Sequence, residues 1–461
     1  MAFSEPAPAA RTDEKHPSSA PAPGLRSDNN PSETTLAPVP DDDDVNDPDS
    51  PRITATTSRP GPVPDGGWEA WLQVLGSWVI LADTWGLVNT FGVYQTYYER
   101  TLDATPSAIS WIGSLQGALL MMVGPISGPL YDAGYFRELL WAGIFLILLG
   151  QFMTSLCTTY WQVLLSQGVC IGLGCGLTFL PSTAILSQYF EKRRAFVIGI
   201  ASTGSPITGM VFPVLFGRLE PVIGFGWATR VMGFILLGLS VIPAVSMHTR
   251  LPPSGRKRSL VDTTALRDPA FMLVMLGSFF GFLSMYIAFF YIQLFAVSHE
   301  IGSASFSTYF VTLLSAGSIP GRVIPNYLAD RLGALYIQIS LAAGAAVMMF
   351  AWLGIRDMAG LVVFAIIYGV FSGGMVSIAP SVIVSLSPDL GRVGTRMGMM
   401  FFTSGISILI GTPIAGAIVG GYSDPEWQAM IGYGAAALTL GSMCYTLAKI
   451  FQLKKARAIK A

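Results

Sequence analysis

Two ionisable side chains stand where the surrounding sequence leaves little room for water. Asp83 lies in VILADTWGL (79–87) and Arg322 in SIPGRVIP (318–325). Both belong to apolar blocks long enough for a helix to cross about 30 Å of hydrocarbon. A charge held there costs several kcal/mol unless it is paired, hydrated or met by a ligand. A guanidinium offers a planar fork that grips a carboxylate through two parallel hydrogen bonds. A carboxyl group in such a place is suited to carrying or gating a proton. An anionic substrate group at Arg322 and a proton at Asp83 form one expectation. A structural ion pair, or Asp83 capping a kinked helix, is the other.

The blocks that hold these residues define the architecture. Of 461 residues 52% are hydrophobic and 12% are charged, against about 25% charged in a soluble domain. Twelve spans are expected, at 69–95, 107–130, 138–156, 161–188, 195–217, 223–247, 269–296, 304–328, 334–354, 360–386, 396–420 and 427–451. Pro181, Pro206, Pro213, Pro320, Pro380 and Pro413 fall inside them and should kink them. The chain divides into a disordered tail (1–64, with 13 of the 30 prolines and the run Asp41 to Asp44), a six-helix half (65–247), a central linker (248–268), a second six-helix half (269–452) and a short tail (453–461). Lysine and arginine placement sets orientation. Seventeen lie on the linker side and in the C-terminal tail, whereas the opposite side has Arg100, Arg218 and Arg356, with Arg230 near it. Both termini are therefore expected in the cytosol.

Other chemistries find no support. There is no phosphate-binding loop of the Walker type, and His16, His248 and His299 all lie outside the spans. The four cysteines sit in or beside apolar blocks without a CxxC pair, so they read as small buried hydrophobes. Basic residues lie at helix ends and form no patch for nucleic acid. The chain is not expected to be an enzyme, and no cofactor or metal is expected.

Longer motifs add detail. LYDAG (130–134) and LADRLG (328–333) each place an acid and a glycine after the second helix of a half, 198 residues apart, with Asp330 in the second copy. DGGWEAW (65–71) opens span one with Asp65, two glycines and a tryptophan pair. Spans four and five run together as GLGCGLTFLPSTAILSQYFEKRRAFVIGIASTGSPITG (172–209). Lys192, Arg193 and Arg194 would serve topology. Gly199, Gly204 and Gly209 would let a neighbouring helix approach, either as static packing or as a moving contact.

These motifs, with GRVIPNYLADRLG (321–333) and DLGRVGTRMG (389–398), resemble the monocarboxylate porter family of the major facilitator superfamily, in its fungal branch. The resemblance covers the chain from about residue 65 onward. It implies an all-α integral membrane protein with twelve transmembrane helices in two parallel six-helix halves, the major facilitator fold. It also implies a substrate site between the halves, with Arg322 as the substrate-binding arginine and with Asp65, Lys192, Arg193, Arg194, Gly204, Gly209 and Asp330 in gating or topology. Further candidates for the pathway are Asn89 and Gln95 on span one, Tyr286, Phe290 and Gln293 on span seven, and Tyr368 and Ser372 on span ten. Packing is the alternative role for the aromatic ones. A span-seven face of Phe279, Phe282, Tyr286, Phe289, Phe290 and Gln293 would suit a bulky, partly apolar solute. The sequence departs from the pattern at Asn89 and Ser318, where better understood members carry a lysine and an aspartate, so a proton relay is not implied by the resemblance.

The expectation is thus a secondary active transporter working by alternating access. It would move an organic anion or carboxylated metabolite, as an efflux pump or as a proton-coupled carrier. It would act as a monomer in the plasma or the vacuolar membrane. A non-transporting receptor on the same fold is the rival.

Overall fold

The computed structural model describes residues 64–191, 194–251, 261–387 and 393–460, with backbone alone at 194–195, 304–305, 330 and 455–460. The tail 1–63, Lys192, Arg193, the side chains of Arg194 and Asp330, and linker residues 252–260 lie outside this description. Among the described residues every regular element is a helix.

Ten helices are long and apolar enough to cross a membrane. One of them, Phe196–Ser246, is 51 residues long and contains a break at Gly224, with φ 74° and ψ 166°. Glycine takes that left-handed φ without a Cβ clash, and the break divides the helix into spans five and six. Ala304–Leu332 is also long enough, at 29 residues, but Arg322, Asn326, Asp330 and Arg331 make it less apolar. It is span eight, and among the described residues the count is twelve. The others are Trp68–Thr101 (one), Pro106–Asp132 (two), Phe136–Thr154 (three), Tyr160–Tyr189 (four), Pro269–Ser298 (seven), Ala334–Trp352 (nine), Met358–Leu386 (ten), Val393–Ile418 (eleven) and Asp424–Lys460 (twelve).

Local signals set the helix starts. Thr105, Asp268, Ser303 and Asp357 each accept a backbone N–H from the first turn that follows, and Pro106 and Pro269 occupy the first helical position. Some helix ends lie beyond the expected ones. Span one continues to Thr101 and carries Glu99 with it, and span twelve runs on to Lys460, through the expected start of the tail.

Within the second half, spans eight and ten meet backbone to backbone. A Cβ on Gly317 or Gly321 would lie 2.1 Å from the carbonyl oxygen of Ile366 or Val370. Only glycine permits that approach, which locks the two helices together. Spans two and four of the first half meet similarly, with Gly176 against the Leu119 carbonyl. Of the three glycines expected to admit a neighbour, Gly204 abuts the Trp78 carbonyl on span one. Gly209 abuts Ser315 of span eight and Asn89 of span one, and Gly199 has open space beside it.

The linker end of the bundle is braced within each half. Asp65 accepts the Glu191 N–H at 2.7 Å and gives its own N–H to Tyr189 at 3.1 Å, so the opening motif docks where span four ends. In the linker, beside the second half, a short helix, Thr263–Leu266, is capped by Asp262. The Asp262 carboxylate pairs with the buried Arg396 at 3.0 Å. Arg396 also donates to the Leu386 carbonyl at 3.1 Å and lies over the Phe271 ring. One charge pair thus ties the linker to spans seven, ten and eleven.

Candidate functional site

Between the two halves lies a small cavity, lined by Asn89 of span one, Met285, Tyr286 and Phe289 of span seven, Ser318 and Arg322 of span eight, and Ser372, Gly373 and Val376 of span ten. Its position follows from packing already described. Gly321 clamps span eight to span ten one residue before Arg322, and Asn326, one turn on, donates to the Arg322 carbonyl at 2.7 Å and to Ser377 at 3.0 Å. The arginine therefore enters the cavity from a rigid pair of helices.

Arg322 is 5% exposed. Its Nη2 donates to Ser205 Oγ of span five at 3.4 Å, and Asn89 Nδ2 donates to the same oxygen at 3.2 Å. Its Nε has no hydrogen-bond partner, and among the described residues no carboxylate pairs with it. A serine hydroxyl does not balance a buried guanidinium, so the site is short of one anion. Ser318 and Ser372 return their hydroxyls to carbonyls of their own helices, at 2.9 and 3.2 Å. Trp85 stacks parallel to Tyr286 with ring centroids 6.3 Å apart, which backs the cavity with a broad aromatic surface.

Asp83 is 1% exposed but is not one of the lining residues. Its Oδ2 accepts from Ser240 of span six at 3.0 Å, while Oδ1 has no partner. It belongs to the interior of the first half, and among the described residues it forms no ion pair with Arg322.

The other expected positions divide. Asn89, Tyr286, Arg322 and Ser372 line the cavity. Phe290 instead packs on Phe91 with centroids 4.7 Å apart, Gln293 approaches Thr308 at 3.5 Å, and Tyr368 donates to the Met285 carbonyl at 3.2 Å beside Phe364. Gln95 sits away from the cavity, on Glu99 and Ser110. Ser205, the residue that joins Arg322 to the first half, was not singled out from sequence. Its position inside the glycine-serine-proline motif was the available signal.

This architecture, with two six-helix halves around a charged cavity, is that of a membrane transporter. The Major Facilitator Superfamily model matches residues 74–412, and the chain belongs to that family, whose members are transporters and not enzymes. It is 38% identical over 400 residues to the MFS-type transporter dbaD of Emericella nidulans, covering 85% of this chain and 90% of that one. It is 35% identical over 364 residues to the aspyridones efflux protein apdF of the same organism, covering 78% and 74%. Among solved structures a peptide transporter superposes with a TM-score of 0.67 at 16% identity, covering 84% of this chain and 97% of the other. That likeness concerns the fold alone.

Proposed function

We propose that this transporter exports an organic anion, a carboxylated and partly apolar metabolite, by alternating access. The observation that carries the proposal is the buried, anion-free guanidinium of Arg322 in the cavity between the halves. The aromatic flank supplied by Trp85, Tyr286 and Phe289 supports the apolar part of the substrate. Efflux is favoured by the relative named for aspyridone export, and an acid as cargo by the motifs shared with monocarboxylate porters. The test is uptake of aromatic carboxylic acids and of their methyl esters into proteoliposomes. Acids should be carried and esters excluded, and equal rates would refute the anion assignment.

Orientation is part of the same proposal: the linker end faces the cytosol and the opposite end faces outward. With the four native cysteines replaced, Gly255→Cys should resist an impermeant thiol reagent in intact cells and Ser423→Cys should react. The opposite labelling would invert the assignment.

Asp83 is proposed as a protonation site, because it is buried beside Ser240 with one carboxyl oxygen unpartnered and no cation paired to it among the described residues. Asp83→Asn should leave substrate exchange intact and flatten the pH dependence of net transport. An unchanged pH profile would take Asp83 out of the cycle.

A further inference from the structure

Among the described residues six hydrogen bonds join the two halves directly. All lie at Arg322 or between it and the end of the bundle away from the linker. They run from Ser205 to Arg322, Met210 to Thr312, Arg218 to Tyr309, Ser107 to Pro413, Ser110 to Tyr291 and Glu99 to Tyr422. Nearer the linker end the two halves also meet through apolar contacts, such as Phe179 against Phe401 and Gly405 against Met122. The far end is therefore shut by polar bonds.

The last two of the six form one cluster. Gln95 Nε2 donates to Glu99 Oε1 at 2.7 Å and also meets Ser110 Oγ at 3.1 Å. Ser110 is bonded to the Tyr291 hydroxyl, and Tyr422 donates to Glu99 Oε2. Spans one and two of the first half are thereby held to span seven and to the turn before span twelve. Each oxygen of the Glu99 carboxylate is filled by a donor, a pattern matched to the ionised form.

We propose that this cluster is the outer latch of the transport pathway and that uptake of a proton by Glu99 releases it, so that acid on the outer side favours the outward-open state. An acid proton on either oxygen must face a group that now donates, and a neutral carboxyl accepts more weakly than a charged one, by roughly half. The titratable groups that face Glu99 are Tyr422 from the turn and Tyr291 from span seven. Among the described residues no lysine, arginine or histidine pairs with it. Nearby, His299 Nε2 stands 3.1 Å from Asp424 Oδ1, and its ring reaches the cluster only through Trp427, which lies against Tyr422. The latch acts on the empty protein, so it stands whether or not Arg322 binds an anion.

The experiment measures the gap itself. The full chain, with its four cysteines replaced, carries spin labels at Asp103→Cys and Ser423→Cys in lipid nanodiscs, and distances are read by pulsed resonance without substrate. Between pH 7.5 and 5.0 the ratio of long to short distances should rise about fivefold or more. Glu99→Gln should hold the long population at both pH values, and Tyr422→Phe should raise it at pH 7.5. His299→Gln should respond to pH as the parent does. Distances that ignore pH in the parent protein, a pH response kept by Glu99→Gln, or one lost in His299→Gln would each overturn the latch at Glu99. Should Glu99→Gln fail to fold, an unshifted population in Tyr422→Phe would overturn it as well.

Discussion

Arg322→Gln is expected to abolish transport of a carboxylate while making the protein no less stable. Two charge-assisted hydrogen bonds, each contributing about 1.5–3 kcal/mol, are lost with the fork. A net loss of about 3 kcal/mol is roughly a hundredfold in affinity. Arg322→Lys keeps a point charge and loses the fork, so its affinity should fall by about tenfold. Stability should move the other way. The guanidinium is buried with a free Nε and no carboxylate partner among the described residues, and removing such a charge relieves a desolvation cost. Binding of a radiolabelled aromatic acid and thermal unfolding in detergent, measured on the same preparations, separate the two effects. A variant that loses both binding and melting temperature would show that the arginine holds the bundle together and has no specific role toward an anion.

Asp262→Ala should have the largest effect on folding. Removing one member of a buried pair leaves the other charged and alone, at a cost of about 3–5 kcal/mol, and here Arg396 would be stranded among spans seven, ten and eleven. Replacing both, as Asp262→Ala with Arg396→Met, removes the stranded charge and should recover much of the loss. The Thr264 hydroxyl, with Arg396, holds the Asp262 carboxyl at about 2, below its usual 3.8. A lowered value stabilises the fold above the unfolded-state value, and that contribution disappears as pH falls from 3.8 through about 2. Unfolding of the single variant at the parent's temperature would mean that the linker helix is not held by this pair.

Most of the fold was legible because a span needs only length and apolar content, and both can be read along the chain. The errors came where another signal overrode these. Span one is expected to end at residue 95, yet the helix continues to Thr101 and Glu99 is half-buried against Tyr422. In the site, Arg322 was visible as a lone cation in an apolar block. The span-seven positions were not so readily placed, since every residue from Gly281 to Ala296 is buried. A helix buried all round has no polar face from which its rotation could be inferred. The cavity takes Met285, Tyr286 and Phe289 from it and leaves Phe290 and Gln293 in packing. Ser205 carried no charge to mark it.

Of the nine residues around the cavity, Arg322 is the one that bears a charge, because Asn89 and Ser318 are neutral where the resembling family has ionised side chains. The empty cavity then holds one positive charge, and a bound monoanion cancels it. A membrane voltage does work only on charge that moves, about 2.3 kcal/mol per elementary charge for each 100 mV. It should therefore leave the loaded protein untouched and act on the return of the empty one. With the linker end facing the cytosol as proposed, an inside-negative potential would draw the empty cavity back toward the cytosolic face. The return stroke would be electrical, and the potential by itself would drive net export.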